Sequence, residues 1–430
     1  MLSYYLQLAW RSLRRYKTLT VLMVLAIAVG IGTSMTTLTV LHVLSGDPIP
    51  AKSGKLFRVR INTFPDDRFQ PTDKTPDNLT RRDATALLGD ARGDHQAVMS
   101  AGSGVLITPQ GEPMRAQARY TTADFFPMFN VPMRYGRAWN GQADTAHARV
   151  AVISSQLNDL LFGDQSGVGK TLQFGDASLR IVGVLGSWDM NPRFYDLSNG
   201  EYGDSEQVFV PLSTALDLHL GTSGTMNCWG NAKDAHDLDA PCIWLQYWVE
   251  LDSPAKVAAY QRYLHNYMAL QQQAGRFRHP AQVRLQNVMQ WLDYKGVVPA
   301  DVRMQVWLAF GFLMICLLNT VGLLLAKFLR RGGEIGVRRA LGASRRDVFM
   351  QYLIESLVIG MVGGLLGLVL AYAGVALVRQ QPTEYAAFVH MDLGILLMTL
   401  LLALVASLVA GLLPAWRAMQ IQPARALKAY

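Results

Sequence analysis

Several residue patterns in this chain are of types that do chemistry. The run Gly163-Asp-Gln-Ser-Gly-Val-Gly169-Lys170-Thr171 has the glycine, lysine and hydroxyl content of a loop that cradles phosphate. Such a loop needs four residues between its first glycine and the Gly-Lys-Thr. Counting back from Gly169 lands on Asp164, whose carboxylate would face phosphate. The run therefore reads as a surface turn after Leu161 and Phe162. Cys228, His236 and Cys242 could hold a metal, but zinc normally wants a fourth ligand at shorter spacing. Free thiols and a Cys228–Cys242 disulfide are the alternatives, and an oxidising compartment favours the bridge. Ser103 and Ser223 each adjoin a glycine without forming a Gly-x-Ser-x-Gly turn. No histidine pair has the metalloprotease spacing. No metal site and no catalytic group is expected in this chain.

A different chemistry, that of charge, concentrates in Glu334-Ile-Gly-Val-Arg-Arg-Ala-Leu-Gly-Ala-Ser-Arg-Arg-Asp-Val348. The segment reads as a short basic helix, a break at Gly342, and a second helix capped by Ser344. Glu334 and Arg338 stand at i,i+4, a pair worth a few tenths of a kcal/mol. Taken alone, Arg338, Arg339, Arg345 and Arg346 would also serve to anchor a loop on anionic lipid.

The elements that must position this segment follow from composition. The 430 residues are 50% hydrophobic and only 17% charged, with a net charge of +8. Soluble domains carry nearer a quarter charged residues, and this mixture excludes disorder, collagen and coiled coil. Three cysteines exclude a disulfide-framework mini-protein. Residues 18–46, 304–326, 356–378 and 393–416 lack Lys, Arg, Asp and Glu, and each exceeds the roughly 20 residues that span a bilayer. The first run is about twice the length of a signal-peptide core, so it reads as an uncleaved anchor.

Basic residues give the orientation. Arg11, Arg14, Arg15 and Lys17 precede the first span without an acid. Lys327, Arg330, Arg331, Arg338, Arg339, Arg345 and Arg346 outnumber Glu334, Asp347 and Glu355 between the second and third spans. Arg417, Arg425 and Lys428 follow the fourth. Four crossings put all three pieces on one face, the cytoplasmic one, with both termini. Together they exceed the chain's net charge, so the remainder is net acidic. The basic balance is thus a topology signal, and no patch is left for nucleic acid.

The expected fold is that of a membrane protein, with four transmembrane helices and a large α/β periplasmic domain between the first two. Its pieces are a cytoplasmic interfacial helix (1–17), a first span (18–46), the periplasmic domain (47–303) and a second span (304–326). A cytoplasmic segment (327–355), a third span (356–378), a short periplasmic loop (379–392), a fourth span (393–416) and a cytoplasmic tail (417–430) follow. Leu2, Leu6, Ala9, Trp10 and Leu13 make an apolar stripe that lies along the membrane surface.

In the domain, residues 55–61 alternate, with Leu56, Arg58 and Arg60 against Phe57, Val59 and Ile61, as a strand does. Residues 149–153 read as a strand leading to a helix capped by Ser154 or Ser155, and Gly175-Asp176 reads as a hairpin turn. Alternation over 243–251, a Ser253-Pro254 helix start and a strand at Val283 and Leu285 suggest a βαβ unit. Gly360, Gly364 and Gly367 give the third span a small face for close helix packing, within the subunit in preference to across a dimer.

At this point a resemblance becomes specific. Glu334-Ile335-Gly336, Arg339-Ala340-Leu341-Gly342-Ala343 and the glycine-rich third span resemble the permeases of the MacB/FtsX/Lol group of ABC transporters. Leu413-Pro414-Ala415 with Ala418, Pro423, Ala426 and Leu427 resembles that group's closing motif. Phe162-Gly163, Gly183-Val184 and residues 208–211 resemble its periplasmic core domain more loosely.

The resemblance implies porter-like βαβ units plus a second subdomain, and a bacterial inner-membrane protein that works by mechanotransmission. It implies a cytoplasmic ABC ATPase that binds ATP and Mg, with no cofactor in this chain. It also implies a second permease, as a homodimer or heterodimer. Residues 334–343, with Arg338 and Arg339 among them, would form the helix that seats on the ATPase. MacB carries its ATPase fused ahead of the first span, whereas only about seventeen residues precede that span here, so a separate ATPase chain is expected.

Efflux of drugs, peptides or siderophore-like molecules with a periplasmic adaptor and an outer-membrane channel is the leading function. Lol-type lipoprotein extraction is an alternative that the sequence does not separate from it. FtsX-like activation of a periplasmic hydrolase fits less well, because FtsX-type domains are much smaller than residues 47–303. No residue can be assigned to substrate. The purified chain is expected to release no phosphate from ATP above background. Sustained turnover traced to this polypeptide in a phosphate-release assay would refute that expectation.

Overall fold

The computed structural model describes residues 2–70, 74–109, 111–203, 205–230 and 232–420. The chain divides into two compact units, residues 1–46 with 298–430, and residues 47–297.

In the first unit, four helices are long and apolar enough to cross a bilayer: Lys17–Ser45, Ala300–Arg330, Arg345–Val378 and Leu393–Met419. Two shorter helices, Leu2–Arg15 and Gly332–Ala340, flank them. Of the N-terminal stripe, the side chains of Leu2, Leu6, Ala9 and Trp10 lie outside the described residues, and Leu13 packs against the apolar core of this unit. The charge-free runs understate the helices. Ala300–Arg330 extends through Lys327, and Arg345–Val378 begins ten residues before Glu355, so the 327–355 segment is mostly helix continuous with the spans.

Several hydroxyls inside the spans turn back onto their own helices, while Ser34 donates to Ala309 O on the second spanning helix at 3.1 Å. Thr39 donates to Met35 O at 2.7 Å, Thr320 to Cys316 O at 2.8 Å and Thr399 to Ile395 O at 2.8 Å. An apolar medium demands this, since it supplies no partner of its own.

The third spanning helix packs against the first and the fourth. A Cβ at Gly360 would run into Ser407, and one at Gly364 into Ala403, both on the fourth helix. A Cβ at Gly367 would sit 3.1 Å from Ala28 O and from Ile31 on the first helix. The glycine face is therefore used within the subunit.

In the second unit the sheet runs Val283–Asn287, Leu56–Ile61, Cys242–Glu250, His95–Ile107, Pro113–Thr121, Val208–Pro211, Val150–Ile153, Ala177–Leu185 and Met133–Gly136. Pairing is antiparallel except at Pro113–Thr121 with Val208–Pro211 and at Val150–Ile153 with Ala177–Leu185. The βαβ strands Cys242–Glu250 and Val283–Asn287 are not neighbours. Leu56–Ile61 lies between them, antiparallel to both, with Leu56 opposite Glu250 and Phe57 opposite Asn287. The connecting helix Pro254–Gln273 starts at a Ser253 cap and buries Tyr260, Leu264, Tyr267 and Met268.

Leu56–Ile61 is a strand, as its alternation indicates, and all six residues are buried, the two arginines included. Arg58 donates to Asp77 O at 2.8 Å and lies over the rings of Trp248 and Trp291. Arg60 donates to Pro76 O and the Tyr294 hydroxyl and pairs with Asp77 at 3.1 Å. Residues 75–78 and the helix Val288–Lys295 thus roof the second face, and burial pulls Arg58 down to about 9. Farther along the sheet, Arg119 pairs with Asp196 at 2.6 Å and with Glu206, tying the 193–206 segment to Pro113–Thr121.

Replacing Gly360 by Leu should separate the third and fourth helices, an overpacking cost of about 1–3 kcal/mol. The thermal midpoint of the detergent-solubilised chain should fall by about 5 °C or more. Gly322 has open space around its Cβ position. Gly322→Leu should therefore leave the midpoint nearly unchanged, and equal effects of the two substitutions would show that the close approach is unimportant.

Candidate functional site

The segment between the second and third spanning helices folds as its sequence dictates. Glu334 lies in the first turn of Gly332–Ala340, and Arg338 and Arg339 lie in the last, each complementing the helix dipole. Gly332 and Gly333 open this helix from within. The chain leaves it through Leu341 and Gly342, whose φ of +103° is a left-handed conformation suited to glycine. Ser344 then caps Arg345–Val378, with Asp347 returning the bond to the Ser344 backbone as a capping box.

Side chains from four elements meet behind the short helix. Glu334 accepts from Arg331 Nε at 3.1 Å, Arg331 Nη2 at 3.0 Å and Arg338 Nη2 at 2.9 Å. Arg338 Nη1 also donates to Gln351 Oε1 on the third spanning helix, at 3.0 Å. Arg331 Nη1 donates to Ser12 Oγ at 2.8 Å, and Ser12 Oγ donates to Glu355 Oε1 at 2.6 Å. Lys327 Nζ lies 2.6 Å from Glu355 Oε1, with both side chains fully buried, and Arg331 Nη1 lies 3.5 Å from Glu355 Oε2. The network joins the N-terminal helix, the end of the second spanning helix, the short helix and the head of the third.

Partial burial works to raise the Glu334 carboxyl, but hydrogen bonds from Arg331 and the charges of Arg331 and Arg338 hold it below the usual carboxylate range. Burial likewise works against the Arg331 guanidinium, and the bonds to Glu334 outweigh it and hold it above its ordinary value. Both groups stay charged, as a buried network of this kind requires.

The residues expected to meet a partner are therefore divided. Arg338 is held inward by Glu334 and Gln351, and Arg339 Nη1 donates to Met419 O at 3.4 Å. Ile335 and Gly336 are buried, and Ala343 is half-buried. Facing outward are Val337 at 47% exposure, Ala340, and Leu341 at 83%, spaced i, i+3 and i+4. Exposed Gly342, Arg345 and Arg346 follow. The presented face is apolar with a basic edge, where a basic face had been expected.

Sequence reasoning missed Lys327, Ser12, Gln351 and Glu355 as members of this site. The available signal was a lysine and a glutamate each abutting an apolar run, which reads first as membrane flanks.

Cys228 and Cys242 are joined as a disulfide. No thiolate is left for a metal set with His236, whose ring contacts Thr222 and Asp234. Gly169 and Gly175 both have positive φ and open surroundings, and the first lies in the phosphate-loop-like run. Of the closing motif, Pro414, Ala415 and Ala418 are buried in the fourth helix, while Pro423, Ala426 and Leu427 lie outside the described residues.

Residues 20–267 match the MacB-like periplasmic core domain, and residues 306–423 match the FtsX-like permease C-terminal domain. A macrolide export ATP-binding/permease protein MacB from Marinobacter nauticus is 23% identical over 432 residues, which cover 98% of this chain and 60% of that protein. A pyoverdine export ATP-binding/permease protein PvdT from Pseudomonas aeruginosa is 24% identical over 369 residues, covering 84% and 49%. The chain spans about half the length of the curated relatives it matches. Among solved structures, the periplasmic region of MacB from Actinobacillus actinomycetemcomitans aligns with a TM-score of 0.37 at 15% identity, over 57% of this chain and 94% of that one. With its core-domain match covering more than half of the sequence, the chain belongs to the MacB-like, FtsX-like family of ABC transporter permeases.

Proposed function

We propose that this chain is the permease component of an ABC exporter in a bacterial inner membrane, with both termini and the Gly332–Ala340 helix in the cytoplasm and residues 47–297 in the periplasm. An ABC ATPase that binds ATP and Mg seats against that helix, and a second permease completes the transporter. ATP-driven closure then moves the periplasmic domain to expel a drug, peptide or siderophore-like molecule, with a periplasmic adaptor and an outer-membrane channel. The relatives named for macrolide and pyoverdine export support export as the activity.

One observation carries the reading. The short helix turns an apolar face outward while its Glu334 and Arg338, each about 35% exposed, join a network that runs inward to the third spanning helix and the buried Lys327–Glu355 pair. An apolar helix face is the form in which a helix seats in a groove. Rigid attachment behind it lets a push on that face move the spans as one body.

Two variants separate seating from transmission. Burying Leu341 in a partner is worth about 1.5–3 kcal/mol, so Leu341→Asp should cut recovery of the ABC ATPase in a pull-down by about tenfold or more. Lys327→Met with Glu355→Met replaces a buried ion pair by apolar groups, an exchange that folds tend to tolerate. That double variant should still recover the ATPase yet lose the permease's stimulation of ATP turnover. Wild-type recovery with Leu341→Asp would place the joint elsewhere. Wild-type stimulation in the double variant would show that the network only holds the fold.

A further inference from the structure

The second spanning helix, Ala300–Arg330, packs against the first and the fourth and buries Val306, Ala309, Leu313, Cys316, Thr320 and Leu324. Its other side is exposed. On that side Leu308, Phe312, Ile315, Asn319, Gly322 and Ala326 recur at spacings of 4, 3, 4, 3 and 4 residues. A mean step of about 3.5 is the repeat by which two helices keep one seam in contact along their length. The exposed arc is wider than this strip, and Asn319 singles the strip out.

Asn319 is the polar side chain of the strip, and its amide carries both N–H donors and a carbonyl acceptor. It stands four residues, about 6 Å, from the middle of the charge-free run 304–326. Hydrocarbon at that depth offers it no partner. The neighbouring Thr320 satisfies its hydroxyl on Cys316 O at 2.8 Å, whereas the Asn319 amide hydrogen-bonds to none of the described residues. Polar side chains inside a bilayer face protein as a rule, and this one faces away from its own bundle.

We propose that a second copy of this chain packs on the strip, with the Asn319 amides of the two copies hydrogen-bonded across a twofold axis. Symmetry decides the occupant. An amide is donor and acceptor in one group, so a twofold axis beside Asn319 lets each copy supply what the other lacks. Nothing in the strip repels a like copy, since residues 304–326 hold no charge. One asparagine in an otherwise apolar seam also fixes the register and the number of helices, because any slip leaves both amides unpaired. The pairing gives the second permease of the proposed function its face. It rests on that reading only for the placement of Ala300–Arg330 in a bilayer, and on nothing said of the ATPase or the cargo.

Cross-linking and energy transfer on the full chain in liposomes test this, with Cys316→Ser as background so that no native thiol competes. Ile315→Cys lies in the strip, and Met314→Cys is equally exposed but off it. Oxidation should join two chains readily through Ile315→Cys and poorly through Met314→Cys. Energy transfer between chains fused to donor and acceptor fluorescent proteins, diluted stepwise with lipid, then gives the dimer constant. Asn319→Leu should weaken the dimer by about three- to thirtyfold, and Asn319→Gln, which keeps the amide, should hold it within about threefold of wild type. Should Asn319→Leu misfold, the cysteine pair decides. Equal cross-linking at the two positions, an unchanged dimer constant in Asn319→Leu, or a chain that stays monomeric would overturn the proposal. Cross-linking through Met314→Cys alone would also overturn it, while leaving the export reading in place with the second permease on another face.

Discussion

A lysine and a glutamate that share no water set the terms for the membrane unit. Lys327 and Glu355 are fully buried, and their charges meet at 2.6 Å between the end of the second spanning helix and the head of the third. Taking either ion out of water costs several kcal/mol, which mutual attraction offsets only when geometry and added hydrogen bonds are good. Ser12 supplies one such bond to Glu355 Oε1, and Arg331 adds its charge at 3.5 Å from Oε2. Lys327 Nζ donates to no acceptor in hydrogen-bond geometry among the described residues, so that side of the pair rests on charge alone. Separating the helices by a few ångströms would strand two charges. The ends of the second and third spanning helices are therefore locked together, and the N-terminal helix with them.

The same logic extends along the third spanning helix in apolar form. In a bilayer, helices gain little from hydrophobicity against one another, so contact depends on close packing. Gly360 and Gly364 let the fourth helix approach, and Gly367, on the same face, lets the first approach. The ion pair fixes one end of this helix and the glycines fix its length. A helix so held is braced along its packed face and at its cytoplasmic head.

Much of this was legible in the sequence, for identifiable reasons. A span is a local property, a run of about 20 apolar residues, and the four runs were visible directly. Caps are equally local, as Ser344, Ser253 and Ser154 show. Contacts between distant residues were not legible. Ser12 and Glu355 stand 343 positions apart, and nothing near either residue announces the other. The strand His95–Ile107 was missed because Gly102 and Gly104 interrupt its alternation. Tyr120 and Phe174 lie where Cβ atoms at those positions would project, which is why glycines stand there. The burial of Arg58 and Arg60 was equally out of reach, because the roof over them comes from residues 75–78 and 288–295.

The division of labour in the short helix inverts what its composition suggests. Counting arginines makes Gly332–Ala340 a basic surface, and charge would then be its means of recognition. Yet a guanidinium already bonded to Glu334 and Gln351 has little left to offer a partner without breaking those bonds. Leu341 has no such prior engagement. At 83% exposure it gains nothing from the fold, and the left-handed Gly342 just after it ends the helix so that the side chain stands at a corner. Seating that corner in an apolar groove releases water and leaves every charge behind it paired. In the proposed joint, the charges transmit and the leucine grips, and neither can substitute for the other.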